Sequence, residues 1–490
     1  MKRFLLLFFF LPLINFGQVQ IGSDIDGEAS NNLSGISVSI SSDGLVVAVG
    51  APLNGGNGAN SGHVRIYENQ GDNWVQIGSD IDGEALGDSL GQSVSLSSDG
   101  SVVAIGAPSN DANGVINSGH VRIYENQGGN WVQIGSDIDG EVSGDRLGQS
   151  VSLSSDGSVV AIGAPFNIGT QVGTGHIRIY ENQGGNWVQI GSDITGDLSG
   201  DSFGESVSLS GDGSVVAVGA SLNDANGINS GHARIYENQG GNWVQIGQDI
   251  NGDGLEDRLG ESVSLSSDGT IVAVGAPYNN SNAVDSGHVR IYENQGGNWV
   301  QIGFDIDGEA SGDALGASVS LSSDGSVVAI GAPFNDGNGF NSGNVRIYEN
   351  QGGNWVQIGS DINGETSGDI SGNSISLSSD GTVLVIGAQL NAGNGLNSGH
   401  ARVFDLSALL SVDDQTISNF SIYPNPTKDQ FTIQLDNPSD LQNINIYNNL
   451  GQLVMTSKNT IVDVSKLTSG LYIVEVETAK GKGVKKLILE

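Results

Sequence analysis

Six tryptophans, Trp74, Trp131, Trp187, Trp243, Trp299 and Trp355, stand 57, 56, 56, 56 and 56 residues apart. A constant interval of this kind means one supersecondary unit copied along the chain, which limits the fold to an array of that unit. A second marker, the aspartate of an S-D-G or G-D-G turn, recurs at Asp43, Asp99, Asp156, Asp212, Asp268, Asp324 and Asp380. The turn is therefore present seven times and the tryptophan six. That mismatch says how the array ends.

One unit, read from Ser93, runs S-V-S-L-S, S-D-G, S-V-V-A-I-G-A-P, a polar loop, G-H-V-R-I-Y-E-N, Q-G-G-N and W-V-Q-I-G. Residues 93–97 alternate apolar and polar, as a half-buried strand does. Residues 101–107 are almost continuously apolar, which suits a strand covered on both faces. Residues 120–126 alternate again, and 131–135 make a short fourth strand. The links 98–100 and 127–130 have hairpin-turn composition. Four antiparallel strands in about 56 residues is one blade of a β-propeller. No stretch carries the 3.6-residue pattern of a helical solenoid. The seventh copy has strands at 374–378, 382–388 and 400–406 but no W-V-Q-I-G. The missing strand stands at the other end of the chain, as Val19-Gln20-Ile21-Gly22-Ser23. These observations predict an all-β fold: a seven-bladed β-propeller over 18–406, closed by its N-terminal strand.

Cysteine is absent, so an exported form of this chain has no disulfide framework and depends on packing and ring geometry. Met1-Lys2-Arg3, the apolar run 4–14 and Gly17-Gln18 read as a signal peptide over 1–17, too short to span a bilayer. No later segment is long and apolar enough to cross a membrane. The net charge of −37 is uneven. Residues 19–412 hold 46 acids, nine arginines and no lysine, whereas 413–490 hold nine acids and seven lysines. The break predicts a linker at 407–418 and a second domain at 419–490. The acidic region repels nucleic acid and anionic lipid, excluding both as partners.

The segment L-G-Q-S-V-S-L-S-S-D-G-S-V-V-A-I-G-A-P (90–108), with Phe203-Gly204 and Gly219-Ala220, resembles FG-GAP repeats. Such repeats build the seven-bladed heads of integrin α chains and many bacterial surface proteins. The resemblance covers about 19–406. It departs from the family at the calcium loop that often precedes the G-A-P strand, where Ser95, Ser97, Asp99, Gly100 and Val103 retain one acid.

Acids gather instead between the fourth strand of one blade and the first of the next. Residues 249–257 fit D-x-N-x-D-G-x-x-D, with Asp249, Asn251, Asp253 and Asp257 at ligand positions and Gly254 at the bend. Oxygen donors so spaced suit a structural calcium ion. The other loops, such as Asp80, Asp82, Glu84 and Asp88, keep acids but lose that glycine, and read more simply as solvated turns. The histidines 63, 120, 176, 232, 288 and 400 share one repeat position, with Asn344 in the remaining copy. A residue copied around a ring is structural rather than catalytic, here through hydrogen bonds between blades. The arginines 65, 122, 178, 234, 290, 346 and 402 repeat likewise and are expected to pair with acids at blade junctions.

Beyond the linker, alternating strands at 430–435, 444–447, 452–456, 461–464, 471–477 and 484–489 fit a small β-sandwich. Y-P-N-P, I-Y-N-N-L-G-Q-L-V, L-T-S-G-L-Y-I-V-E-V and G-V-K-K-L-I-L-E resemble the C-terminal sorting domain of type IX secretion cargo. The resemblance implies that type IX machinery is a partner, carrying the protein across the outer membrane of a Bacteroidetes-type bacterium. The mature protein is then secreted or held at the cell surface.

Every acidic pair singled out above is copied around the ring, and no blade carries a distinctive cluster. The sequence therefore favours a non-enzymatic scaffold that binds or adheres to an extracellular protein or glycan through variable loops such as 110–114 and 335–339. The competing class is a polysaccharide-acting hydrolase or lyase, which needs a specific carboxylate pair.

Overall fold

The computed structural model describes residues 17–167, 173–410, 420–435, 441–448, 453–478 and 481–489. All but the last residue of the signal-peptide reading lies outside them. The chain divides into two compact units, 1–410 and 411–490.

The first unit is seven antiparallel sheets. Blade two is representative: Ser93–Leu96 pairs with Val102–Ala107, which pairs with His120–Asn126, which pairs with Trp131–Gln133. The first strands of neighbouring blades contact one another in an unbroken cycle, the seventh (Ser374–Leu377) meeting the first (Ser37–Ile40). They surround a central channel.

Serine alternates with aliphatic residues in these strands because each has a separate task. Val94 and Leu96 are buried between blades. The first serine donates its hydroxyl to a glycine carbonyl of the next blade, Ser93 to Gly148 for example, seven times at 2.7–2.9 Å. The second accepts an amide from the next blade, Leu153 N to Ser95 Oγ for example, seven times at 2.9–3.3 Å. A third cycle joins the backbones of residues 42, 98, 155, 211, 267, 323 and 379, each amide bonded to the next carbonyl and Ser379 N returning to Ser42 O. Three closed rings of hydrogen bonds thus bind the blades around the axis.

The glycine of each G-A-P segment is a product of this crowding. A Cβ at Gly106 would lie 2.0 Å from Gly148 O of the next blade, and the six equivalents meet 1.9–2.1 Å. Each tryptophan lies further out and staples a junction. Trp131 Nε1 donates to Ile77 O of the preceding blade, and the six such bonds are 2.9–3.0 Å.

The N-terminal strand closes the ring. Val19 and Gln20 pair with Asp405 and Phe404, Ile21 N donates to Val403 O at 2.8 Å, and Ile25–Asp26 continues along the same neighbour. Two details differ from the sequence reading. The fourth strand resumes after its G-S-D step as a second short pairing, Ile81–Asp82 against His63 and Val64 in blade one, so part of each acidic loop is strand. The first part of the expected linker is a helical turn, Ser407–Leu410, whose Leu409 and Leu410 pack on the buried cluster around Leu406; residues 411–419 lie outside the described residues.

The second unit has two sheets. One orders Phe420–Tyr423, Gln430–Leu435 and Ile461–Asp463, and the other Leu453–Ser457, Leu441–Tyr447, Gly470–Thr478 and Gly481–Leu489. Their inward faces share a core of Phe431, Ile444, Ile446, Val474 and Leu487, the arrangement of a sandwich.

Candidate active site at one end of the central channel

The repeated charges form clamps. Arg178 donates to Asp193 of its own blade at 3.0 Å and reaches Glu141 of the preceding connection at 2.8 Å. Arg346 bridges Asp361 and Glu309 in the same way, at 3.2 and 2.6 Å. Arg122, Arg178, Arg234, Arg290 and Arg346 therefore pair closely with acids at blade junctions, whereas Arg65 and Arg402 come only within 3.9 and 3.8 Å of theirs. The histidines do not make the expected bonds between blades: His232, His288 and His400 have both ring nitrogens buried without a hydrogen-bond partner.

The four residues of the expected calcium loop are held apart by different partners. Asp249 receives Arg234 and Gln245, Asp253 receives Arg290 of the next blade, and buried Asp257 accepts the amides of Asp253 and Gly254. Asn251 Oδ1 is buried without a partner. The arginines supply the positive charge that the spacing had suggested for a cation. Among the described residues, the groups of histidine and acid atoms within 4.8 Å of one another include none of these four.

The symmetry breaks on the axis. The residue just before each first strand is, in blade order, Ile36, Gln92, Gln149, Glu205, Glu261, Ala317 and Asn373. All seven line a cavity of about 230 Å³ at the end of the channel away from the S-D-G turns. Glu205 and Glu261 are neighbours in blades four and five and both are half-buried. Ser221, which replaces the proline of G-A-P in blade four and is buried, donates its hydroxyl to Glu205. Arg258, one of two propeller arginines outside the clamp series, has its guanidinium 4.6 Å above the Tyr278 ring. Its charge acts on both glutamates.

Burial, then the neighbouring Glu205 charge, push the Glu261 carboxyl up to about 7, against the pull of Arg258. Burial also raises Glu205, opposed by the Ser221 hydrogen bond and by Arg258. Two adjacent carboxylates in one cavity titrate as a pair and hold a proton near neutral pH, which equips them to donate and accept protons. The backbone around them is strained. Leu33, Ser89, Arg146, Ser202, Arg258, Ala314 and Ile370 stand four residues before the start of their first strands with φ of 54–58°, a region costly for side chains with a Cβ and most of all for β-branched Ile370. Strain of this kind concentrates at functional sites. The expectation that no blade carries a distinctive cluster is thus corrected by Glu205, Ser221, Arg258, Glu261 and Tyr278. Aligning the seven copies exposes the two glutamates; that they face a cavity follows only from the fold.

These features define an exported repeat protein: a propeller with an axial carboxylate site and a separate C-terminal sandwich. The comparisons agree. A profile described as "Secretion system C-terminal sorting domain" matches residues 421–490. One described as "FG-GAP repeat" matches 196–236. The chain carries both elements, and the sorting domain places the protein outside the cell, secreted or on its surface. A curated relative, an ulvan lyase of Nonlabens ulvanivorans, is 42% identical over 81 residues, 16% of this chain and 15% of the lyase. The chain thus matches well under two thirds of that relative's length. The expectation of a non-enzymatic protein is overturned by this relative, which is an enzyme. Among solved structures, the periplasmic gluconolactonase of Pseudomonas aeruginosa has a TM-score of 0.47 at 17% identity, covering 68% of this chain and 85% of its own. A putative 6-phosphogluconolactonase of Bacteroides uniformis has a TM-score of 0.48 at 11% identity, covering 90% and 99%. The propeller assignment rests on the sheets and their closed cycle of contacts.

Proposed function

We propose that the protein is an extracellular polysaccharide-acting enzyme, a hydrolase or lyase, in which Glu205 and Glu261 are the acid–base pair. The observation that carries this reading is the pairing of two half-buried carboxylates at the axial cavity, where the other five copies hold no acid. The lyase relative supports the substrate class. As a hydrolase, protonated Glu261 donates to the glycosidic oxygen while Glu205 activates water or attacks the sugar. As a lyase, one carboxylate removes a ring proton and the other protonates the departing oxygen. Ser221, which bonds Glu205 alone, biases the shared proton toward Glu261 by stabilising ionised Glu205, while the Arg258 charge acts on both. The test incubates the full chain with a panel of polysaccharides and follows both new reducing ends and the ultraviolet absorbance of unsaturated ends. Glu205→Gln and Glu261→Gln are each expected to lower turnover about 100-fold or more, with Gln127→Ala, on an exposed hairpin turn, close to wild type. Turnover that survives both glutamate changes, or a panel with no product, defeats the proposal.

A calcium ion at Asp249, Asn251, Asp253 and Asp257 is a separate proposal, resting on ligand spacing and on the unpartnered Asn251 oxygen. Melting of the full chain in calcium and in chelator decides it. A rise in calcium that is absent from Asp249→Ala/Asp253→Ala supports the site, and an indifferent wild type removes it.

A further inference from the structure

The seven junctions are not equal in how their arginines are used. In blades three, four and five the clamp arginine donates directly to the repeated aspartate, at 2.8–3.0 Å. In blade one, Arg65 turns away: its Nη2 donates to Asp26 O at 2.6 Å, and only a 3.9 Å approach to Glu28 remains. In blade seven, Arg402 likewise donates to Asn363 O at 2.8 Å and comes no nearer than 3.8 Å to Glu365. These two blades flank the seam where the ring closes. At each of them a buried histidine faces two carboxylates that lack a close guanidinium.

At the first, His63 Nδ1 lies 3.4 Å from Asp80 Oδ2 and 3.9 Å from Glu28 Oε2. At the second, His400 Nδ1 lies 3.5 Å from Asp24 Oδ2, and Glu365 completes the group. In each group the three ligand atoms lie within 4.8 Å of one another. Both histidines are 1% exposed, and neither Nδ1 has a hydrogen-bond partner. Asn54 donates to Glu28 at 3.3 Å and Gln20 to Asp24 at 2.7 Å, which fixes the carboxylates while leaving oxygens free.

We infer that Glu28–His63–Asp80 and Asp24–His400–Glu365 are two divalent-metal sites of the zinc class, which clasp the closure seam of the propeller. One imidazole nitrogen with two carboxylate oxygens is a donor set for zinc or a similar borderline ion, with water in a fourth position, and not for calcium, which prefers an all-oxygen shell. Each site takes one acid from the segment that follows the closing strand: Asp24 toward blade seven and Glu28 toward blade one. Metal at both would pin that segment to the two blades it joins. Blades two and five gather similar groups, Glu84–His120–Asp137 and His288–Asp305–Asp307, but there a guanidinium already occupies a carboxylate, Arg122 on Glu84 at 2.7 Å and Arg290 on Asp305 at 2.9 Å; in blades three and four Arg178 and Arg234 hold both acids.

Blade six supplies the variant for the test. Asn344 occupies the histidine position, is fully buried and donates to Asp361 at 3.0 Å, so His→Asn suits this site in the fold. The full chain, made without a histidine tag and stripped with chelator, is titrated with zinc by calorimetry and then melted with and without zinc. Wild type is expected to bind two ions and to melt higher with zinc. His63→Asn and His400→Asn each bind one, the double variant binds none and loses the shift, and His176→Asn still binds two. Absence of zinc binding by wild type, unchanged stoichiometry in the double variant, or an equal loss in His176→Asn overturns the inference.

Discussion

A single carboxyl group shows how far the ring departs from its own symmetry. Glu261 sits where the other blades place Ile, Gln, Gln, Glu, Ala and Asn, and its proton is held up to about 7 against an ordinary value of 4.5. The folded state therefore binds more protons than the unfolded chain between those values, and stability falls as pH rises through that window. Replacing it by glutamine removes the penalty. Glu261→Gln should gain roughly 1–2 kcal/mol over wild type at pH 8, after discounting for its partial exposure, and almost nothing at pH 4. Urea unfolding at both values measures this; an equal gain at the two would show that ionisation is not the cause. Lining up the seven copies picks the residue out of the 46 acids of 19–412, but nothing local in the sequence shows that this position faces a cavity. The repeated histidines misled in the opposite direction. Their shared position signalled structure, but their side chains lack the bonds that such a role suggested.

At the scale of the strand, the sequence was more legible. The absence of W-V-Q-I-G from the seventh copy and the presence of V-Q-I-G at 19–22 revealed both blade number and closure, because a strand's pattern survives displacement along the chain. What could not be read was the second short pairing, since two residues such as Ile81–Asp82 are too few to show an alternation. Removing residues 18–23 deletes the pairing of Val19 and Gln20, the Ile21–Val403 bond and the acceptor of Trp74 Nε1. At about 1 kcal/mol per bond, the loss should be roughly 3 kcal/mol or more, with the edge of blade seven left open to other chains. Thermal unfolding and light scattering of the deletion variant test both effects. A melting curve equal to that of wild type would mean the strand is not structural.

For the molecule as a whole, the three rings of hydrogen bonds make every blade interior to the array, whichever blade is counted first. An open solenoid frays from its ends and needs capping repeats. Here the two ends of the propeller chain occupy the same sheet, where Val19 faces Asp405. That pairing has a consequence in time. A chain made from its N-terminus holds strand 19–23 without a partner until almost four hundred residues have followed it. Joining ends so far apart carries a loop-closure entropy of order 5 kcal/mol, concentrated in a single late step. Six blades can form as the chain lengthens, but the seventh waits for the last of its residues. The first strand made is thus among the last to be placed, and completion of the ring reports that the whole propeller has arrived.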